Sequence, residues 1–438
     1  MAVCAGIRRE DKNEWERRVP ITPEHVKELR DKHDLHFIVQ PSPVRVFPDN
    51  EYVEAGALVS EDLSGCNAIF AVKEIPIKLL LPQKTYMFFS HVIKGQPYNM
   101  PMLKKLMELG CTLIDYEKVE DAKGRRLIFF GRHAGIAGAI ESFHALGRRL
   151  ELEGIKSPFS DIRHAYDYSD MKEITDSLKT VGSRISTEGL PREIAPVAIG
   201  IAGYGHVGGG ASEIIDLLPN EEIKPSQLRE LAASKDMRND IIYKVVFKEE
   251  DLVTPVSKDA DFILQEYYDH PEKYEGVFEQ YLPHLTLLLN TIYWTNRYPR
   301  LVTKAALKKL YEQNDKPTLR VIGDISCDIE GAIEATAHST NPGTPCFVYN
   351  PLEGKVSEGI EGKGVAIMAV DNLPCEIPAE SSRNFSNVLK SFAPAIARAD
   401  YSTSFEELEL PPEIRKAVIL HKGKLTPDFK YLEKNVKS

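Results

Sequence analysis

At 438 residues, 42% hydrophobic and 27% charged, the chain has the length for two or three domains and an ordinary globular composition. A formal net charge of −10 argues against nucleic acid or an anionic membrane as its main partner, while leaving room for a local basic pocket that takes an anionic ligand. Six cysteines stand apart, with neither a Cys-x-x-Cys pair nor a Cys/His cluster at metal spacing, so reduced thiols, a reducing compartment and no metal site are expected. No apolar leader opens the chain and no run approaches the roughly 18 apolar residues of a membrane span; the expectation is a cytoplasmic protein.

The chain alternates strand-like and helix-like segments without internal repeats, the pattern of an α/β protein with parallel sheets. A helix starts at Thr22-Pro23, threonine at the N-cap and proline at the first helical position, with Val26 and Leu29 at helical spacing. Strands are predicted at 37–39, 68–72, 86–90 and 112–116, with a short helix over 103–109. A long helix over 134–152 carries Gly135 and Gly138, where another backbone can approach closely, and bridges into a second domain.

There the apolar run Val197-Ala198-Ile199-Gly200-Ile201-Ala202 breaks into Gly203-Tyr204-Gly205-His206-Val207-Gly208, and 211–218 is helix-like with Ile214, Ile215 and Leu218 on one side. A buried strand, a Gly-x-Gly-x-x-Gly turn and a helix are the context in which this motif holds a dinucleotide. Gly203 permits the tight turn, Gly205 admits a pyrophosphate, and Gly208 lets helix and strand pack closely, so that the helix N-terminus faces the phosphates. Beyond it, a strand is predicted at 241–247, a helix at 267–282, and strands at 319–322 and 365–370, the last two running into Asp324-Ile325-Ser326-Cys327-Asp328 and Asp371-Asn372-Leu373-Pro374. The segment 383–399 reads as one helix crossing back to the first domain, and 406–438 as a solvated helix with an extended end.

Three first-domain strands end on an ionisable residue: Lys73, His91 and Glu117. In an open parallel sheet ligands bind beyond the carboxyl ends of the strands. An amine and an imidazole brought together there suit proton transfer near neutral pH. Taken singly, each is as readily a solvated loop lysine, a structural histidine, or a glutamate paired with Lys118; their recurrence at successive strand ends is the signal. Arg17-Arg18 offers a guanidinium for a substrate carboxylate, although on local grounds a surface pair balancing Glu14 and Glu16 serves as well. Arg125-Arg126 reads as a basic turn.

Together these motifs resemble the superfamily of alanine dehydrogenase and the saccharopine dehydrogenases: Arg18-Val19-Pro20-x-Thr22-Pro23, Val72-Lys73-Glu74, Ser90-His91-x-x-Lys94, and Asp324-x-x-x-Asp328. Trp15-Glu16-Arg17-Arg18, Phe88-Phe89-Ser90-His91, Asp115-Tyr116-Glu117-Lys118, His270-Pro271-Glu272-x-Tyr274, Ile292-Tyr293-Trp294 and Asp371-Asn372-Leu373-Pro374 are similar, more narrowly, to the lysine-ketoglutarate reductase domain of the bifunctional aminoadipic semialdehyde synthases. The resemblance runs from about residue 5 to about residue 433. It implies reductive condensation of L-lysine with 2-oxoglutarate to saccharopine, with NADPH as reductant. It implies Lys73 and His91 as the acid–base pair, Arg18 as a carboxylate holder, Glu117 as a modulator of the substrate site, and Arg126 as a second carboxylate ligand. Lys94 would pair with Asp328 near the nicotinamide, and Asn372 and Leu373 would line the nicotinamide pocket. The bifunctional proteins continue into a glutamate-forming saccharopine dehydrogenase, which makes such an enzyme a partner for this chain; homo-oligomerisation is left open. The third glycine, Gly208, stands where the nearest relatives often have serine.

For the cofactor, an NAD site wants an acid at the tip of the second strand to bond the ribose hydroxyls. That strand is read as Glu222-Ile223-Lys224, followed by Pro225-Ser226-Gln227 without an acid, so Lys224 or Arg229, with Ser226, would meet a 2′-phosphate and NADP(H) is expected. The expected architecture is two Rossmann-like domains flanking a cleft, 1–132 plus 371–438 for substrate and 133–370 for the dinucleotide, closing over the reaction. The alternatives are an NAD-dependent, lysine-forming saccharopine dehydrogenase, another opine-type dehydrogenase, and a silent dinucleotide-binding module.

Overall fold

The computed structural model describes residues 3–234 and 238–437; positions 1–2, 235–237 and 438, which belong to the domains read from the sequence, lie outside the described residues. The chain divides into two compact units, Met1–Phe130 with Pro378–Ser438, and Gly131–Ile377. Residues 371–377, read from the sequence with the first domain, lie in the second unit.

The first unit is built on strands β1 (Val3–Ile7), β2 (Leu35–Val39), β3 (Leu58–Val59), β4 (Ala68–Phe70), β5 (Thr85–Phe88) and β6 (Thr112–Asp115). They lie parallel in the order β6-β5-β4-β1-β2-β3. β4, β5 and β6 are buried at every residue, as expected of strands covered on both faces. Beyond β6 the sheet continues into the antiparallel strands Val418–His421 and Lys424–Leu425. The tail is therefore not a solvated helix; Val418, Ile419 and Leu420 are core residues. The helix Pro23–His33 begins where expected, but Thr22 makes no side-chain cap bond, its hydroxyl lying 3.2 Å from His25 Nδ1 instead. The single helix expected over 383–399 is two, Pro378–Leu389 and Ala393–Arg398. Pro394 is tolerated in the first turn of the second helix, but in a continuous helix it would delete the bond to residue 390.

In the second unit the sheet comprises β7 (Ala198–Ala202), β8 (Asn220–Glu222), β9 (Ile242–Phe247), β12 (Leu287–Asn290), β13 (Val321–Asp324), β14 (Cys346–Asn350), β15 (Lys355–Glu358) and β16 (Val365–Met368). A separate two-stranded ribbon pairs β10 (Val253–Pro255) with β11 (Tyr274–Gly276). The order is β15-β14-β16-β13-β12-β7-β9-β8, parallel from β16 to β8 with β14 and β15 antiparallel at one end. Two alternating α/β units with mostly parallel sheets agree with the expected fold class.

Two features of this unit depart from the sequence reading. The stretch 267–282 is not one helix: it contains part of the helix Leu264–Asp269, then β11 and a 3₁₀ segment, Phe278–His284. Pro271 ends the first helix by disfavouring helical backbone at His270. More consequentially, β8, the strand that follows the glycine turn in sequence, sits at the sheet edge, and β9 is the neighbour of β7. Helix Gly131–Leu152 packs on helix His206–Ile215 at backbone contact: a Cβ on Gly135 would fall 1.9 Å from the Val207 carbonyl oxygen, and one on Gly210 2.0 Å from that of Arg132.

Candidate active site

Parallel register sets the ends of β1, β4, β5 and β6 level: Ile7 pairs Phe70, Phe70 pairs Met87, and Phe88 pairs Asp115. Three residues beyond Ile7, Phe70 and Phe88 come Glu10, Lys73 and His91, and two beyond Asp115 comes Glu117. Glu10 is buried and accepts the backbone N–H groups of Val72 (2.7 Å) and Lys73 (2.9 Å), lashing the end of β1 to that of β4. Burial, then the neighbouring Glu16 charge, pushes its carboxyl up to about 7. The Lys73 ammonium is pushed the other way, down from the ordinary lysine value, by burial and then by the charges of Arg18 and Lys12. The result is an amine that gives up its proton more readily than a solvated lysine.

His91 has φ +52°, a left-handed conformation uncommon outside glycine and typical of positions held for function. Its Nδ1 lies 2.6 Å from Glu74 Oε1, and its ring stacks on Phe89 with centroids 6.3 Å apart. Burial raises the Glu74 carboxyl, but the hydrogen bond and charge of His91, with Lys12 3.5 Å from Oε2, outweigh it and hold it at about 2. Asp115, fully buried, accepts the Ser90 hydroxyl, the Ser90 N–H (3.1 Å) and the Glu117 N–H (2.8 Å), fixing the turn before His91 against the turn of Glu117.

The arginines sort differently from expectation. Arg18 is neither on the surface nor open to a ligand along its fork: it is 2% exposed, donates to Glu16 Oε1 (2.7 Å) and Oε2 (2.6 Å), and lies 4.3 Å over the Phe130 ring. It acts first as a buried positive charge beside Lys73. Arg126 is the half-exposed guanidinium, 3.8 Å from Glu117 Oε1 and 6.0 Å from the Phe89 ring centre. Lys94 is exposed, three residues past His91, and no hydrogen bond among the described residues ties it to the cluster. Glu10, Glu16 and Glu74 are the members that residue-type reasoning passed over.

In the second unit the chain leaves β7 for one side of the sheet and returns on the other at β12, the switch point where open α/β sheets bind ligands. Gly203 has φ +102°, and a Cβ there would meet Thr291 Oγ1 at 2.8 Å. At Gly208 a Cβ would lie 2.3 Å from the Gly203 carbonyl oxygen, whereas at Gly205 nothing lies within 4 Å, leaving that backbone open to a ligand. His206 and Val207 open the helix, at the N-terminal end that favours an anion. A cavity of about 470 Å³ adjoins them, lined by Gly203 to Val207, by Phe247, Glu249, Leu252 and Val253, by Tyr267 and Tyr268, and by 291–294 and 298–301. The pyrophosphate cradle and an aromatic, mostly apolar slot fit an adenine dinucleotide.

Ser226, on the 3₁₀ turn Pro225–Gln227 past edge strand β8, does not line this cavity, and neither do Lys224 and Arg229. Asp328 is exposed; Asn372 is buried; Leu373 is 1% exposed and packs in the core beside Ile325 and Gly138. The turns after β12 and β13 are locked by Asn290 donating to Asp324 Oδ1 (2.8 Å) and Thr336 donating to Oδ2 (2.6 Å).

Strand, glycine turn, helix and a largely parallel sheet make the second unit Rossmann-like. The sequence matches the models of the alanine dehydrogenase/PNT N-terminal domain over residues 6–137 and C-terminal domain over 233–428, together more than half of its length. The chain belongs to the alanine dehydrogenase/PNT family of oxidoreductases. It is 36% identical over 99% of its length to an alpha-aminoadipic semialdehyde synthase of Arabidopsis thaliana, of which it spans only 41%. It is 27% identical over 87% of its length to a saccharopine dehydrogenase [NAD(+), L-lysine-forming] of Neurospora crassa, covering 88% of that protein. Among solved structures an L-alanine dehydrogenase shares the fold, with TM-score 0.62, 18% identity and 99% coverage of both chains.

Proposed function

We propose that this chain catalyses the reductive condensation of L-lysine with 2-oxoglutarate to saccharopine, the lysine-ketoglutarate reductase reaction, with a reduced nicotinamide dinucleotide as hydride donor. The observation that carries the reading is the first-unit cluster, in which a half-buried Lys73, its ammonium disfavoured by its surroundings, and a carboxylate-held His91 follow adjacent parallel strands. Likeness to the semialdehyde synthase over nearly the whole chain supports the choice of substrates.

Forming the new C–N bond requires the attacking amine to lose a proton and the carbonyl oxygen to leave as water. Lys73, in its amine form, takes the first proton, and His91, its Nδ1 engaged by Glu74, delivers one to the departing hydroxyl. Arg126, beside Glu117, is the accessible cation for a substrate carboxylate. The bound dinucleotide supplies the hydride that reduces the imine. NADPH, which the resemblance implies, would find Glu249 in the cavity lining rather than the expected Lys224 or Arg229. A saccharopine-consuming, glutamate-forming dehydrogenase is the partner activity this product calls for.

The test is loss of absorbance at about 340 nm, the signature of reduced nicotinamide, with dinucleotide, L-lysine and 2-oxoglutarate together and each omitted in turn. Oxidation that needs all three supports the reading; equal rates without lysine, or with ornithine in its place, overturn the substrate assignment. The specific second reading is the lysine-forming, NAD-linked direction, favoured by Glu249 and by the likeness to the Neurospora enzyme.

A further inference from the structure

Sheet register brings together cysteines that sequence spacing keeps apart. Cys4 is the second residue of β1, and Cys66 stands two residues before β4. β1 and β4 are parallel neighbours with Ala5 opposite Ala68, and the Asn67 N–H donates to the Cys4 carbonyl at 3.0 Å. The two cysteines therefore enter adjacent strands side by side, and their sulfurs lie 3.6 Å apart. Gly6 makes room for this. Strand residues two apart share a face, so residue 6 lies on the face of Cys4, and a Cβ at Gly6 would press to 3.3 Å from Cys66 Sγ. By contrast the Cys111 and Cys327 thiols donate to backbone carbonyls, those of Leu81 (3.3 Å) and Ala369 (2.9 Å).

The two sulfurs are not equivalent. Cys4 is half-buried at the start of its strand, whereas Cys66 is 1% exposed. The hydrogen bond from the Cys66 thiol favours Cys4 as thiolate and, against the effect of burial, holds it below the ordinary cysteine value. The same bond, reinforced by burial, pushes Cys66 up. The Lys84 ammonium, held by the Ser64 carbonyl and by the Cys66 carbonyl (3.2 Å), adds a positive charge beside the pair. A thiolate is the nucleophilic form of cysteine, so the reachable sulfur is the reactive one and the buried sulfur waits behind it.

We propose that Cys4 and Cys66 form a redox site, at which Cys4 reacts with a hydroperoxide and Cys66 then closes a disulfide. In the first step the Cys4 thiolate attacks a peroxide oxygen and the O–O bond breaks. The departing hydroxide or alkoxide takes a proton from solvent, and Cys4 is left as a sulfenic acid. In the second step the Cys66 sulfur attacks that of Cys4, the S–O bond breaks, and the hydroxide leaves as water with the Cys66 proton. Two electrons pass from the sulfurs to the peroxide; with hydrogen peroxide the products are one disulfide and two waters. Closing the gap from 3.6 Å to an S–S bond of about 2.05 Å asks a small shift of Cys66. That residue follows the exposed turn Ser64-Gly65, and a Cβ at Gly65 would meet nothing within 4 Å. The bridge ties β1 to β4 at their amino ends, while Glu10 and Lys73 stand beyond the carboxyl ends, so the staple forms outside the acid–base cluster.

The test takes the full chain, reduced and then freed of reductant, and adds a small molar excess of hydrogen peroxide. Two of its six free thiols should disappear, and peptide mapping without reduction should find Cys4 joined to Cys66. Dithiothreitol should restore both. Cys66→Ser removes the resolving thiol, so the sulfenic acid should persist on Cys4 and be trapped there by dimedone; Cys4→Ser should leave Cys66 unlabelled. Because the bridge spans 62 residues of sequence, the oxidised chain should melt at a higher temperature than the reduced one. Six thiols that survive the peroxide, or a disulfide that joins other cysteines, overturn the proposal. Dimedone found on Cys66 rather than Cys4 overturns the order of the two steps, and an oxidised chain that melts no higher overturns the staple.

Discussion

Lys73 and His91 were legible because each follows a predicted strand, but their neighbours were not. Glu10 stands at the same three-residue offset beyond β1, yet β1 reads Val-Cys-Ala-Gly-Ile, too short and small-residue-rich to announce a strand, so the offset had no origin to be counted from. Glu16 was visible only as a surface balance for Arg18, since burial of an ion pair leaves no mark in local sequence. If Lys73 is the base, Lys73→Met should lower turnover by about 10²–10⁴-fold while dinucleotide binding, measured by fluorescence, is kept; unchanged turnover removes Lys73 from the mechanism. The sign of the pH dependence follows from its neighbours. Burial and the positive charges of Arg18 and Lys12 disfavour the ammonium, so the amine is the available form at lower pH than in a solvated lysine. Lys12→Met takes away one of those charges, lets the Lys73 value rise, and leaves less neutral amine at a given pH. The acid limb of the kcat/KM profile should therefore move to higher pH; a shift to lower pH, or none, contradicts the electrostatic account.

Among elements, the strand, glycine turn and helix were legible because their requirements are local, and those requirements can be separated by mutation. A methyl group at Gly208 would collide with the Gly203 carbonyl oxygen, backbone against backbone, with no flexible side chain to yield. Gly208→Ala should cost about 1–3 kcal/mol through overpacking and lower the melting temperature. Gly205 has φ −76° and open space where its Cβ would be, so Gly205→Ala should melt like the parent and lose dinucleotide affinity, the new methyl occupying the place of the pyrophosphate. Equal effects of the two substitutions on melting would refute this division of labour. Strand order, by contrast, is set by long-range pairing. The chain between β7 and β9 contains a short edge strand, Asn220–Glu222, that looks locally like the second strand of a nucleotide-binding unit. Local pattern reports that a strand exists and not which strand lies beside it, which is why β8 rather than β9 was read as the neighbour of β7.

At the scale of the whole molecule, the first sheet is completed by chain that arrives last. Lys422 N–H donates to Thr112 Oγ1 at 3.3 Å across 310 residues of sequence, and the strand Val418–His421 pairs β6 through an irregular register between Val418 and Leu420. Charged residues and prolines on either side of this strand made the segment read as a solvated tail, because a short antiparallel strand takes its stability from the edge it joins rather than from its own periodicity. Its burial says otherwise: Val418, Ile419, Leu420, Phe429 and Leu432 are each no more than 3% exposed. Full burial of an apolar side chain is worth about 1.5–3 kcal/mol, hence about 7–15 kcal/mol for the five, which matches the whole stability of a typical domain, about 5–15 kcal/mol. Ending the chain after Leu410 should therefore unfold the first unit rather than trim it, and the bared edge of β6 would promote association of what remains. Thermal melting and lysine-dependent turnover of the shortened chain measure this: loss of both is expected, whereas parental melting and turnover would show that the last strand covers the sheet without holding it.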